Sequence, residues 1–178
     1  PVTRATSSEF VYKGETFTVP VPGRHNAENA FHAVVLCETL GVPLTRIGKG
    51  LASFRGIHRR LEVVGTAGGI TVVDDYAHNP AKIRAALETL TPYHRRVLAL
   101  WRPHGYRPLA VMMDDLVKTL TEVWRPADRF MILPVYDAGG TADRSIHSGM
   151  LADRLTAAGI PAELAADPEQ AARRCAEL

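Results

Sequence analysis

Val72-Val73-Asp74-Asp75-Tyr76-Ala77-His78-Asn79-Pro80 is the stretch that decides how this chain is built. Ile70 to Val73 is a short β-branched run, the composition of a strand packed in a core. Two carboxylates stand at its carboxyl end, and a turn carries Tyr76, His78 and Asn79. Pro80 suits the first position of a helix, where no amide hydrogen is needed, and Ile83, Ala86, Leu87 and Leu90 continue with helical spacing. Strand, polar loop and helix make up the repeating unit of an α/β fold, whose ligands collect outside the carboxyl ends of strands. The same residues also read as a strand end with an aspartate cap and a surface histidine.

Toward the carboxyl terminus the alternation repeats. Strands are predicted at Val97 to Trp101, Phe130 to Leu133 and Ala162 to Leu164, and helices from about Leu109 to Val123, near His147 to Ala158 and from Pro168. Strands separated by helices imply right-handed crossovers and a mostly parallel sheet. Toward the amino terminus the pattern differs. Leu61 to Val64 and Ile70 to Val73 read as a hairpin across Ala67-Gly68-Gly69, preceded by a linker that makes residues 54 to 59 the expected boundary between two parts. Before it come a short helix from Leu44 to Ala52, a helix capped by Asn26 that runs to about Leu40 and stops at Gly41, and a hairpin of Glu9 to Tyr12 with Thr16 to Val19 around Gly14.

The 178 residues hold one ordinary domain, or one domain and part of another. A 46% hydrophobic and 22% charged composition is that of a globular protein. Lys and Arg outnumber Asp and Glu by only 21 to 19, which argues against a nucleic-acid partner. No apolar run approaches the roughly 20 residues of a membrane span, so no membrane partner is expected. Pro1-Val2-Thr3-Arg4 has neither an initiator Met nor the character of a signal peptide, so the chain reads as a piece of a longer cytoplasmic protein. Cys37 and Cys175 are then expected as reduced thiols. Composition leaves the oligomeric state open.

Four stretches carry side chains suited to chemistry. His25-Asn26-x-x-Asn29 places two carboxamides one helical turn apart, each offering the donor and acceptor that match an adenine edge. It also reads as the polar first turn of a capped helix. His58-Arg59-Arg60, at the expected boundary, offers a guanidinium for a phosphate, or is a basic linker. In the loop after Val73, a carboxylate can accept hydrogen bonds from both hydroxyls of a ribose. Trp101-Arg102-Pro103-His104-Gly105-Tyr106-Arg107-Pro108 again follows a strand, and Arg102, His104 and Arg107 are candidates for a substrate carboxylate, unless they form a basic surface loop. The glycines of Tyr136-Asp137-Ala138-Gly139-Gly140 permit close backbone approach but make no phosphate fingerprint. The chain has no Gly-x-x-x-x-Gly-Lys-Ser/Thr loop, no Gly-x-Gly-x-x-Gly after a strand, and no Cys-x-x-Cys, His-Glu-x-x-His or Gly-x-Ser-x-Gly.

In order and spacing, Val21-Pro22-Gly23-Arg24-His25-Asn26-Ala27-Glu28-Asn29, Phe54-Arg55-Gly56-Ile57-His58-Arg59-Arg60-Leu61-Glu62, Asp74-Asp75-Tyr76-Ala77-His78-Asn79-Pro80 and Arg102-Pro103-His104 resemble the Mur ligases, the ATP-dependent amide-forming enzymes of peptidoglycan precursor synthesis. The likeness is closest to the branch that adds L-alanine to UDP-N-acetylmuramate, and to the branch that recycles murein tripeptide. It implies an α/β chain with a Rossmann-like C-terminal domain and mostly parallel sheet at residues 57–178, preceded at residues 1–56 by the tail of a central ATPase domain. It also implies ATP and Mg²⁺ as cofactors, the magnesium ligands and phosphate loop lying upstream, and small-molecule substrates: a UDP-N-acetylmuramate-type nucleotide and an amino acid or short peptide. His25, Asn26 and Asn29 would then contact adenine, Arg60 (which fits better than Arg59) the γ-phosphate, Asp75 the ribose, and His78 the acyl phosphate and incoming amine. The chain alone would be inactive. A catalytically silent nucleotide-binding module is the alternative from another class. One departure bears on the substrate. Alanine-adding members continue Arg-Tyr-Ser-Arg after Pro-His, whereas this chain has Gly105-Tyr106-Arg107-Pro108, with both arginine positions replaced and Arg107 displaced by one place.

Overall fold

The computed structural model describes all 178 residues. They divide into two compact units, Pro1–Tyr76 with Glu88–Tyr93, and Ala77–Leu87 with His94–Leu178. In the first unit, β1 (Val2–Thr3), β2 (Ser8–Tyr12) and β3 (Glu15–Val19) form an antiparallel sheet in that order. Lys13 and Gly14 both adopt positive φ, the twist that a two-residue hairpin turn requires. Register places Phe10 opposite Phe17, and their rings stack 5.4 Å apart. Helix α1 (Arg24–Thr39) buries Ala27, Ala30 and Val34, spaced by three and four, and α2 (Leu44–Ala52) adds Ile47 to the same core. The two-residue β1 is too short to carry any periodicity and has no counterpart in the sequence reading.

Two features of this unit differ from expectation. The cap of α1 is Gly23, not Asn26, so the helix begins three residues earlier. Gly23, at φ 101°, turns the corner that follows Pro22, and the Asn26 carboxamide donates to the Pro22 carbonyl at 2.6 Å. The second difference concerns β4 (Glu62–Ala67) and β5 (Ile70–Asp74), which pair antiparallel around Gly68 and Gly69, as expected of a hairpin. However, β5 is not a buried strand: Ile70 is 62% exposed and Val72 55%. These two strands form a sheet of their own, and no third strand pairs with either of them. β-Branched residues report a preference for pleated backbone, and burial depends on what packs against it.

In the second unit, β6 (Leu98–Trp101), β7 (Arg129–Ile132) and β8 (Ala162–Leu164) form a sheet that is parallel throughout. Phe130 and Ile132 of β7 join Trp101, residues of α4 (Tyr106–Val123) and residues of α5 (Ser148–Ala157) in one core. Met131, Leu133, Ala165 and Ala171 of α6 (Pro168–Glu177) form a second cluster. Alternation along β7 thus feeds two apolar layers, the arrangement of a sheet covered on both faces. Helix α3 (Pro80–Leu90) starts at Pro80 as predicted and places Ile83 and Leu87 in the first of these layers.

Helix α4 begins at Tyr106, three residues ahead of the expected Leu109. Gly105, at φ 103°, makes the corner, and Pro108 falls in the first turn, where its missing amide costs nothing. Arg107 therefore belongs to a helix rather than to a loop.

A buried carboxylate ties the strand starts together. Asp128 accepts hydrogen bonds from the Val97 amide at 2.8 Å and from Arg125 Nε and Nη2 at 2.9 and 2.7 Å, while Arg125 Nη1 donates to the His94 carbonyl. Burial by itself pushes the Asp128 carboxyl up, but the hydrogen bonds from Arg125 and Val97 outweigh it and hold the group below the usual carboxylate range. No helix is long and apolar enough to cross a membrane.

Candidate functional site

Of the nine candidate residues, His25, Asn26, Asn29, Arg60 and Asp75 fall in the first unit, and His78, Arg102, His104 and Arg107 in the second. Within the first unit, residues 59–62 and 74–76 are joined by hydrogen bonds to backbone groups. Asp75 Oδ2 accepts the Leu61 amide at 2.8 Å, the Tyr76 amide donates to the Arg59 carbonyl at 2.9 Å, and Glu62 Oε2 accepts the Arg59 amide at 2.8 Å. The Arg59 amide, and then His58, hold the Glu62 carboxyl below its usual range. Arg59 and Leu61 both sit at positive φ, a conformation that non-glycine residues adopt only where surrounding contacts hold them.

This joint brings Arg60 and Asp75 into one short segment and separates the roles of the two arginines. Arg59 pairs with Asp74 at 3.4 Å and lies 4.9 Å from the centre of the Tyr76 ring. Arg60 is exposed and approaches the same ring at 5.9 Å, so it is the guanidinium better placed to engage an outside anion. Asp75 has one oxygen committed to Leu61, and the remaining lone pairs of its carboxylate are suited to ribose hydroxyls. Its structural share is measurable. Asp75→Ala strands the half-buried Leu61 amide and is expected to cost about 1–2 kcal/mol, whereas Asp75→Asn retains an accepting oxygen and most of that stability. Hydrogen exchange at the Leu61 amide in the native state checks this, with roughly tenfold or greater acceleration expected for the alanine variant alone.

At the start of α1, His25 and Asn26 are half-buried and Asn29 is exposed. The Asn26 amino group is taken by Pro22, which leaves its carbonyl oxygen as the group to present to an adenine amine. A side chain at position 23 would collide with His25 and Thr89, both 2.8 Å from the place its β-carbon would occupy. Glycine there lets the imidazole lie close against the backbone. These groups fit a nucleotide base. His25, Asn26 and Asn29 include no carboxylate, the protein ligand that Mg²⁺ usually takes.

In the second unit His78 is half-buried in the turn before α3, whose first turn is capped by Asn79 Oδ1 accepting the Lys82 amide. The Trp101 indole donates to the Ala77 carbonyl at 2.9 Å and ties this turn to the end of β6. Arg102 and His104 follow β6, exposed on either side of the buried Pro103. Both face Tyr136, which the sequence reading quotes beside its glycines but gives no role: the Arg102 guanidinium and the His104 ring each lie 5.5 Å from the Tyr136 ring centre. The signal was available, since Tyr136 follows the end of β7 as Arg102 follows the end of β6. Arg107 is exposed on the first turn of α4.

Residues 59–178 match the family described as Mur ligase, glutamate ligase domain. The chain belongs to the Mur ligase family. Among curated Mur ligases, the UDP-N-acetylmuramate–L-alanine ligase of Clostridium novyi (strain NT) is 36% identical over 155 residues, covering 84% of this chain and 33% of that protein. The enzyme of the same name from Synechococcus sp. (strain JA-2-3B'a(2-13)) is 42% identical over 150 residues, covering 83% and 30%. The chain thus spans about a third of the length of these relatives. Among solved structures, UDP-N-acetylmuramate–alanine ligase MurC from Thermotoga maritima superposes with a TM-score of 0.71 at 25% identity, over 98% of this chain and 43% of that one. Folylpolyglutamate synthase from the same organism shares the fold, with a TM-score of 0.66 at 21% identity over 97% and 39%. The Mur ligase match begins at residue 59 and so includes the β4–β5 ribbon, which contacts group with the first compact unit.

Proposed function

We propose that the full-length protein is an ATP-dependent ligase of peptidoglycan precursor synthesis. It would join the amine of an amino acid or short peptide to the carboxylate of a UDP-N-acetylmuramate-type nucleotide in the cytoplasm. The observation that carries this reading is the 36–42% identity, over 83–84% of this chain, to relatives named UDP-N-acetylmuramate–L-alanine ligase. In this reading residues 1–56 end the central ATP-binding domain and residues 57–178 are the C-terminal domain. The phosphate loop and magnesium ligands belong to the upstream part, so residues 1–178 alone form no amide.

ATP supplies the γ-phosphoryl group that turns the substrate carboxylate into an acyl phosphate. The amine nitrogen then bonds to the acyl carbon, the bond from that carbon to the phosphate oxygen breaks, and the amine loses a proton. This chain's part is positioning and charge neutralisation, which phosphoryl transfer chiefly requires. His25, Asn26 and Asn29 hold the adenine, Asp75 the ribose hydroxyls, and Arg60 the transferring phosphoryl group. His78 stands by the acyl phosphate and the incoming amine, and Arg102, His104 and Arg107 serve substrate carboxylates. Gly105 and Pro108 depart from the alanine-adding pattern, and the murein tripeptide of the recycling branch is the second reading of the acceptor. Neither residue offers a charge, and an arginine at 105 would have to adopt φ 103° with its β-carbon 3.3 Å from Pro108.

Phosphate release by the full-length protein with MgATP, UDP-N-acetylmuramate and single amino acids, L-alanine first, tests the proposal, with murein tripeptide assayed separately. Release is expected to require UDP-N-acetylmuramate together with one particular amine donor, which in the recycling case is the tripeptide. Binding of ATP without release for any pair would overturn the ligase in favour of the silent module.

A further inference from the structure

Resting on the ligase reading, we propose that Tyr76 is a positioning residue for phosphoryl transfer. Its ring holds the Arg60 guanidinium where that group can meet the phosphoryl oxygens. Arg59 and Arg60 are consecutive, and in an extended strand consecutive side chains point to opposite faces. Here both guanidinium carbons approach one ring, at 4.9 Å and 5.9 Å from the Tyr76 ring centre. The backbone explains this convergence. The Arg60 amide donates to the Ile57 carbonyl at 3.1 Å and closes a four-residue turn, in which Arg59 takes φ 58° at the third position. On the other side of Arg60, Leu61 is only 7% exposed and takes φ 48°.

Arg60 thus stands between two residues in the left-handed region, and both are tied down: the Arg59 carbonyl accepts the Tyr76 amide, and the Leu61 amide donates to Asp75. With the backbone fixed, what remains is a long side chain with many rotamers, and the ring restricts them. The two cations do not compete on equal terms. Arg59 pairs with Asp74 at 3.4 Å, which offsets its charge and lessens the repulsion between the two guanidinium groups. Cation–π attraction engages the charge of a guanidinium and uses none of its N–H donors, so those of Arg60 stay available for phosphoryl oxygens. Ordering this side chain before ATP arrives removes an entropic cost that the transition state would otherwise bear.

Steady-state kinetics of the full-length protein test the proposal. Tyr76→Leu is expected to lower kcat about tenfold or more, with KM for the amine donor changed less than about threefold. Tyr76→Phe keeps the ring and should restore most of the rate. Added to Arg60→Ala, Tyr76→Leu should lower kcat by less than about twofold further, because the ring acts through that arginine, whereas a merely structural role would cost the same rate in both backgrounds. A second readout does not depend on ligation. In full-length protein labelled with ¹⁵N-arginine, the Arg60 Nε–H resonance, assigned by its absence from Arg60→Ala, should carry a ring-current shift in wild type and Tyr76→Phe that is lost in Tyr76→Leu. A wild type that releases no phosphate removes the ligase reading and leaves the resonance to decide whether the ring positions the arginine. An unchanged kcat in Tyr76→Leu, an equal loss with and without Arg60, or an Arg60 resonance that does not respond to loss of the ring overturns the inference.

Discussion

Asp128→Ala is expected to lower the unfolding free energy of the second unit by about 3 kcal/mol, enough to shift a urea midpoint by a molar unit or more. The alanine leaves the Val97 amide without its acceptor at the start of β6 and removes the carboxylate to which Arg125 Nε and Nη2 donate. Removing one member of a buried pair costs about 3–5 kcal/mol. Arg125 is 31% exposed and regains some water, which places the expected cost at the lower end of that range. Trp101 and Trp124 are the chain's two tryptophans and both lie in the second unit, so their fluorescence in urea reads this transition directly. A loss below about 1 kcal/mol would mean that the strand starts do not depend on this carboxylate.

The same residue sets an acid limit. Its folded-state pKa lies below the unfolded value of about 3.9, so its contribution is fully present above that value and is lost as pH falls through the folded pKa. Urea midpoints followed downward from about pH 5 should therefore fall in wild type, and should fall less in Asp128→Asn.

The second large effect is catalytic. If Arg60 stabilises the transferring phosphoryl group, Arg60→Ala in the full-length protein should reduce kcat by roughly 10³-fold, a magnitude typical of arginines in that role. Arg60→Lys should recover part of the rate, because an ammonium restores the charge without the bidentate geometry. Stability should be unaffected, since Arg60 is exposed and its described contact is the 5.9 Å approach to Tyr76. Arg59 predicts the reverse. Its ion pair with Asp74 and closer ring contact make Arg59→Ala a structural change with a smaller effect on rate. A larger rate loss in the Arg59 variant would transfer the role to that residue.

Short-range features of this protein were present in the sequence alone. The turns at Lys13-Gly14 and Gly68-Gly69, the start of α3 at Pro80 and the extents of α2 and β8 follow from the conformational limits of single residues and their near neighbours. The polar motifs after Val73 and Trp101 were visible as strand-end loops for the same reason. Tertiary structure decided the rest. It left Ile70 and Val72 exposed on a two-stranded ribbon, used Gly23 and Gly105 to start α1 and α4 early, committed one oxygen of Asp75 to Leu61, and set Tyr136 against Arg102 and His104. Propensity is a property of a residue and its neighbours along the chain. Burial, and the partner a side chain meets, depend on segments tens of residues away, and these no local pattern encodes.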